Sequence, residues 1–278
     1  MTRIIIDSST DLVPDIKKQV TVIPLPINFG GTEYWDGVTI DHRQFYEMLA
    51  ECDTLPTTSQ ASPAAFADAF EAARAAGEQA VVLTVSAKLS GTYQSARIAA
   101  ADYPEVQVVD TMSVAIGAGV LAEYAVRLAQ RGLDAEHIAL KLLQAREQIR
   151  VVAMLDTLEY LKKGGRISKT AAIAGSLLSI KPVVAIENGE IAILGKARGS
   201  KQGNNLLVKE IEQAGGVNFD MPLLLGYTGL NDTLLQRYIT DSEALWEGHG
   251  DRLQTTCISS VIGTHAGPGA VAVAFFKK

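Results

Sequence analysis

The stretch TVSAKLSGTY, residues 84–93, crowds Thr84, Ser86, Ser90, Thr92 and a glycine directly behind the apolar run AVVL. Short hydroxyls where a strand gives way to a helix suit an anion. The helix N-terminus adds exposed amides and the positive end of its dipole, which together receive a carboxylate or a phosphate. Capping the helix is the plainer role for Ser90, and the two roles are compatible. His265 lies in GTHAGPGA. That stretch reads as a glycine-rich turn between two apolar strands, where backbone amides converge on an anion and an imidazole donates a hydrogen bond. Filling a hairpin turn is the plainer role there.

Ser90 and His265 with Asp7 or Asp110 can also be written as a hydrolytic triad, because triads are defined by geometry and not by order. No G-x-S-x-G elbow accompanies them. His42, His137 and His249 are scattered without acidic or thiol neighbours at metal spacing, and His42 and His137 read as surface residues at helix starts. GAGVLA, residues 117–122, and GPGAVA, residues 267–272, match G-x-G-x-x-A, yet neither directly ends a strand within a complete β-α-β unit. Helix packing explains the first match and a turn explains the second. A G-x-x-x-x-G-K-[ST] phosphate loop is absent, which disfavours a kinase of that type.

The elements that must position these residues alternate. RIIID reads as a strand, with DSST capping a helix over DLVPDIKKQ. The proline- and glycine-bearing stretch TVIPLPINFGGTEYWDG reads as irregular or edge strand. Helices follow from Asp41 and Ser62; AVVLTVS and VQVVD are short apolar runs of doubly buried strands, each followed by a helix. This order predicts an α/β protein whose first lobe, residues 1–150, is a mainly parallel sheet with helices on both faces. Such sheets bind ligands beyond the carboxyl ends of their strands. The second lobe, residues 151–278, is expected to be a mixed sheet with helices. Asn188-Gly189 between two alternating apolar runs is a hairpin signal, and a final strand pair is read around CISSVIGTHAGPGAVAVAFF. The boundary between the lobes is soft, and they are allowed to interleave.

At 278 residues and 47% hydrophobic content the chain can bury a large core. A net charge of -6 gives no electrostatic reason for nucleic acid or an anionic membrane surface as partner. Apolar segments are too short or too polar to span a bilayer, and the start lacks the pattern of a secretory signal, so a cytoplasmic location is expected. Cys52 and Cys257 fit reduced thiols.

The ordered set DSSTDL, PTTSQASP, LSGTYQSA, KKGGRIS and IGTHAGPGA resembles the DegV family of fatty-acid-binding proteins, which includes the FakB subunits of bacterial fatty acid kinase. The resemblance spans nearly the whole chain. It implies two α/β lobes, an acyl chain in a buried tunnel and a carboxylate near the interlobe surface. Carried over by position, Thr58, Ser90 and His265 are the head-group ligands and Arg166 lies close by; Ser59, Gly91, Thr92 and Gly267 are secondary members. A separate kinase would supply ATP, the acyl phosphate would stay on the carrier, and Arg166 would help hold its extra charge. The carrier would need no cofactor of its own and only transient membrane contact. GKARGSKQ, residues 195–202, reads as a solvated turn, with contact to the kinase as the other role. A hydrolase and a lipid sensor or transporter without a kinase remain open.

Two positions depart from the family pattern: Ala61 stands where many relatives have proline, and Ala266 where the turn often carries threonine. The expected ligand has simple physical demands. Its anionic head needs charge-assisted hydrogen bonds, and a sixteen-carbon tail gains on the order of 10 kcal/mol from burial before ordering costs. AAIAGSLLSI, AVAVAFF and the VVAML strand are the expected tunnel walls.

Overall fold

The computed structural model describes residues 1–167 and 180–278. In chain order the first half holds β1 (Thr2–Asp7), α1 (Pro14–Lys17), β2 (Thr21–Ile23), β3 (Pro26–Phe29), β4 (Thr32–Trp35), α2 (His42–Glu51) and β5 (Thr57–Thr58). It continues with α3 (Pro63–Ala75), β6 (Gln79–Thr84), α4 (Thr92–Ala99), β7 (Val106–Asp110), α5 (Ile116–Gln130) and α6 (Ala135–Ala145). The second half holds β8 (Ile149–Met154), α7 (Glu159–Lys163), β9 (Ile180–Glu187), β10 (Glu190–Arg198) and α8 (Gly199–Gln213). β11 (Leu223–Tyr227), α9 (Thr233–Asp241), β12 (Gln254–Cys257), α10 (Ser260–Ala266) and β13 (Val271–Phe276) complete it.

The apolar runs form a four-stranded parallel sheet of order β2-β1-β6-β7. Both faces are covered, as continuous apolar strands require. Alternation divides β1 between them: Ile4 and Ile6 pack with Leu121 and Ile138 of α5 and α6, while Ile5 packs with Phe66 and Phe70 of α3. A six-stranded mixed sheet, β10-β9-β8-β13-β11-β12, follows. Leu207 and Ile211 of α8 and Leu235 and Tyr238 of α9 cover one of its faces. α5 joins the core that Leu224, Ala272 and Ala274 form on the other, so this helix lies between the two sheets. The GAGVLA match serves that packing: a Cβ at Gly117 would strike Val151 and Ser113, and one at Gly119 the Asp11 carbonyl.

Asn188 and Gly189 turn β9 into β10 with φ of 50° and 81°, the left-handed pair a two-residue hairpin needs. Asp41 and Ser62 cap α2 and α3 through Gln44 and Ala65 amides. Several expectations fail. DSST does not cap α1, a four-residue helix preceded by Val13; its side chains turn inward instead. The edge-strand reading of TVIPLPINFGGTEYW holds for β2 and β4 and fails for β3, which is central: β3 and β4 form a second hairpin turned by Gly30 and Gly31, with β5 on the other side of β3. GKARGSKQ is not a turn but the end of β10 and the first turns of α8. The final strand pair is also corrected: SVIGTHA forms α10, and β12 and β13 flank β11 on opposite sides without pairing to each other. The helix fits because Gly263 lets α10 approach Tyr46 and Phe45, where a Cβ would clash. His42 is half-buried, its Nε2 2.9 Å from the Gly229 carbonyl and in contact with the Cys257 thiol; burial pushes that thiol up to about 12. Cys52 and Cys257 are free thiols.

Candidate functional site

A cavity of about 990 Å³ of empty space, solvent at its mouth included, opens where the two sheets meet. Its apolar wall comes from both halves: Val85, Val114 and Ile116 from the first, Val151, Ala153, Val184, Ile191, Ala270 and Ala272 from the second. Small residues on β8, β9 and β13 leave the space that larger ones would fill. The VVAML and AVAVAFF strands therefore do contribute walls, whereas AAIAGSLLSI falls largely outside the described residues.

Polar side chains gather on this lining from separated parts of the chain: Ser9, Thr58, Ser59, Ser90, Arg166 and His265. Thr58 sits on β5, fixed by pairing with Ile27 of β3, and the Ser59 amide donates to the Pro26 carbonyl at 3.2 Å. Ser90 ends the loop after β6. Its Oγ accepts the Thr92 amide at 3.2 Å and lies 2.9 Å from Thr92 Oγ1, so it supports the first turn of α4 while lining the cavity. His265 is in the last turn of α10, not in a hairpin turn as its glycine neighbours suggest. Its Nε2 lies 2.8 Å from Thr58 Oγ1, while its buried Nδ1 has no hydrogen-bond partner among the described residues. Arg166 donates from Nε to the Leu89 carbonyl at 3.1 Å and from its terminal nitrogen to the Gly164 carbonyl at 2.6 Å.

Burial, and to a lesser degree the Arg166 cation, lower the His265 imidazole to about 4. At neutral pH it is therefore uncharged, one ring nitrogen donating and the other accepting. Arg166, itself lowered by burial, supplies a formal positive charge at this end of the cavity. An anion brought here meets a cation, the hydroxyl residues Ser9, Thr58, Ser59 and Ser90, and an imidazole, with apolar space behind them. Gly91, Thr92 and Gly267 are not on the lining; they frame it. A Cβ at Gly91 would strike the Gln60 side chain, and Gly267 caps α10 with φ 71° where a Cβ would enter the Tyr160 ring. Gly164 plays a similar part beneath the His265 ring.

The triad reading finds little geometry. Ser90 Oγ bonds to Thr92, Asp7 is committed to Val85 and Ser9, and Asp110 accepts the Ala87 and Met112 amides. Among the described residues no carboxylate bonds to His265 Nδ1. No group of three metal-ligating side chains occurs among the described residues, and no helix there is long and apolar enough to cross a membrane. Ser9 is the lining residue that the motifs alone do not single out for the ligand. Its signals are its place in DSSTDL and in a polar turn at the carboxyl end of a parallel strand.

A family model described as "Uncharacterised protein, DegV family" matches residues 1–278. A DegV domain-containing protein of Caldanaerobacter subterraneus is 34% identical over 284 residues, 99% of this chain and 98% of its relative. A Thermus thermophilus structure described as fatty acid binding of a DegV family protein superposes with TM-score 0.88 at 31% identity, covering 99% of both chains. A Streptococcus pneumoniae fatty acid kinase B3 protein loaded with linoleic acid superposes with TM-score 0.87 over 100% of both chains; at 24% identity that likeness speaks for the fold.

Proposed function

This chain belongs to the DegV family, and from that premise we propose that it holds one long-chain fatty acid, its tail in the apolar cavity and its carboxylate at Thr58, Ser90 and His265. Arg166 stands beside the carboxylate, while Ser59, Gly91, Thr92 and Gly267 shape its surroundings. The observation that carries the reading is the placing of these polar side chains on an otherwise apolar cavity. Apolar pockets with a few convergent polar groups are the usual form of small-ligand sites. The fatty acid binding described for the Thermus thermophilus relative supports it.

In the finer form of the proposal the protein is a cytoplasmic carrier of two lobes dividing near residue 150. It presents the carboxyl group to a separate ATP-dependent kinase and retains the acyl phosphate. The chain then needs no phosphate loop or cofactor of its own. Ser90 acts as ligand and not nucleophile, Arg166 offsets the added negative charge, and the basic residues of 195–202 touch the kinase.

Native mass spectrometry of the protein purified from a bacterial host, followed by solvent extraction, tests the binding step. One equivalent of long-chain fatty acid is expected. A protein that comes empty and takes up no added fatty acid rejects the proposal. Trapping of Ser90 by an organophosphate probe with turnover of an ester would favour a hydrolase instead.

A further inference from the structure

The DSSTDL segment leaves β1 with five consecutive polar side chains, Asp7 to Asp11, all inside the protein: none exceeds 8% exposure. Burying that many polar groups is costly unless each has a partner, so the destinations of their bonds matter. Asp7 accepts the Val85 amide at 2.7 Å, at the end of β6 and five residues before Ser90. Ser8 Oγ accepts the Leu25 amide at 3.1 Å, directly before β3, the strand that pairs with Thr58. Asp11 accepts the Ser259 amide at 2.8 Å, directly before α10, the helix that carries His265. Three side chains from the end of β1 and the loop after it thus each grip the main chain of a different segment. The three segments lead to Ser90, Thr58 and His265, three of the polar residues on the cavity lining.

We infer that Asp7, Ser8 and Asp11 are positioning residues for the carboxylate site, setting the mutual spacing of Ser90, Thr58 and His265 without touching the ligand. The inference rests on the fatty-acid reading above. A carboxylate bound by groups on three separate segments needs them in register, because a hydrogen bond loses strength outside about 2.7–3.2 Å and at bent angles. Local secondary structure cannot supply that register: β5 has two residues, Ser90 is in a loop, and α10 has seven residues. The loop itself is rigidly held. Asp7 also accepts from the amide and hydroxyl of Ser9, the Ser9 carbonyl accepts the Ala115 amide at 3.0 Å, and the Asp11 amide returns to the Ala115 carbonyl at 3.2 Å. Asp36 gives α10 a second hold through the Ser260 amide at 3.2 Å. Burial raises the Asp7 and Asp11 carboxyls while the amide bonds oppose it, so these contacts are what keep the carboxyls in place.

The test is calorimetric titration of delipidated protein with palmitate and with hexadecanol, which share a tail and differ at the head. A wild-type protein that binds neither rejects the fatty-acid reading itself. Where wild type binds palmitate, Ser90→Ala provides the benchmark loss. Ser8→Ala and Asp11→Ala are each expected to raise the palmitate Kd about 10-fold, with the hexadecanol Kd within about 2-fold of wild type. Asp11→Asn keeps an oxygen for the Ser259 amide and should restore palmitate binding to within about 3-fold. The inference falls if both ligands weaken together, or if neither moves while Ser90→Ala loses palmitate. It also falls if none of the loop variants folds, since the loop would then be structural throughout. Should Asp11→Ala alone fail to fold, Ser8→Ala and Asp11→Asn decide.

Discussion

The two ends of the cavity are built by opposite means. At the polar end, Thr58, Ser90, Arg166 and His265 come from four motifs, each recognisable in the sequence, and a hydrogen bond of 2.8 Å joins Thr58 to His265. At the apolar end, Ala153, Ala185 and Ala272 are ordinary strand residues and Ala270 directly precedes β13, distinguished only by being small where two sheets diverge. The polar end is a matter of residue identity and the apolar end a matter of volume. Specific chemistry leaves a signature in a motif, whereas empty space leaves none, because it depends on what does not pack there.

Filling the apolar end should have the largest effect. Ala153→Phe places a ring in the tail's path and is expected to lower palmitate affinity at least about 100-fold, with an overpacking cost of about 1–3 kcal/mol. Native mass spectrometry after expression would show the loss of copurified lipid. Retained stoichiometric lipid would mean that the tail runs elsewhere.

Acid separates the two ends next. His265 is held at about 4 in the folded protein against an ordinary 6.5, so the unfolded chain binds more protons between those values. Stability from this group is therefore present above pH 6.5 and is lost as pH falls toward 4, by roughly 2 kcal/mol at pH 5. Asp7, Asp11 and Asp36 are raised by burial and act in the opposite sense, destabilising as pH rises above the ordinary carboxylate range. Urea denaturation at pH 7 and pH 5 should show a smaller loss in His265→Asn than in wild type. An equal loss in both would remove the histidine from the account.

At the polar end alone, Ser90→Ala is expected to weaken palmitate binding about 10-fold, as is typical for one hydrogen bond to a charged group. With a kinase partner, Ser90→Ala and His265→Ala should each lower acyl phosphate formation while circular dichroism stays unchanged. The smallest effect is expected at the turn of the β9–β10 hairpin, which is not itself on the cavity lining. Asn188→Ala, at φ 50°, should cost about 1 kcal/mol and a few degrees of melting temperature, with palmitate affinity unchanged. A changed affinity there would show that the turn residues, and not only Val184 and Ile191 of the strands, bear on the ligand.

The alternation of strands and helices, the Asp41 and Ser62 caps and the Asn188-Gly189 hairpin were all legible, because each depends on near neighbours in the chain. Misreadings came where tertiary contacts overrode local chemistry. DSST has the composition of a helix cap but bonds to Val85 and Leu25 in distant segments. THAGPG has the composition of a turn, yet its first three residues complete a helix that Gly263 packs against Tyr46.

The sequence by itself determined the α/β class, the doubly buried strands and the hydroxyl, arginine and histidine motifs, since periodicity and residue type are local properties. Only the tertiary structure decided that His265 meets Thr58 across 207 residues of chain, that α5 lies between two sheets, and that small side chains from β8, β9 and β13 face a common space. Those outcomes follow from how whole elements pack, and packing is settled by volumes and buried bonds summed over the fold.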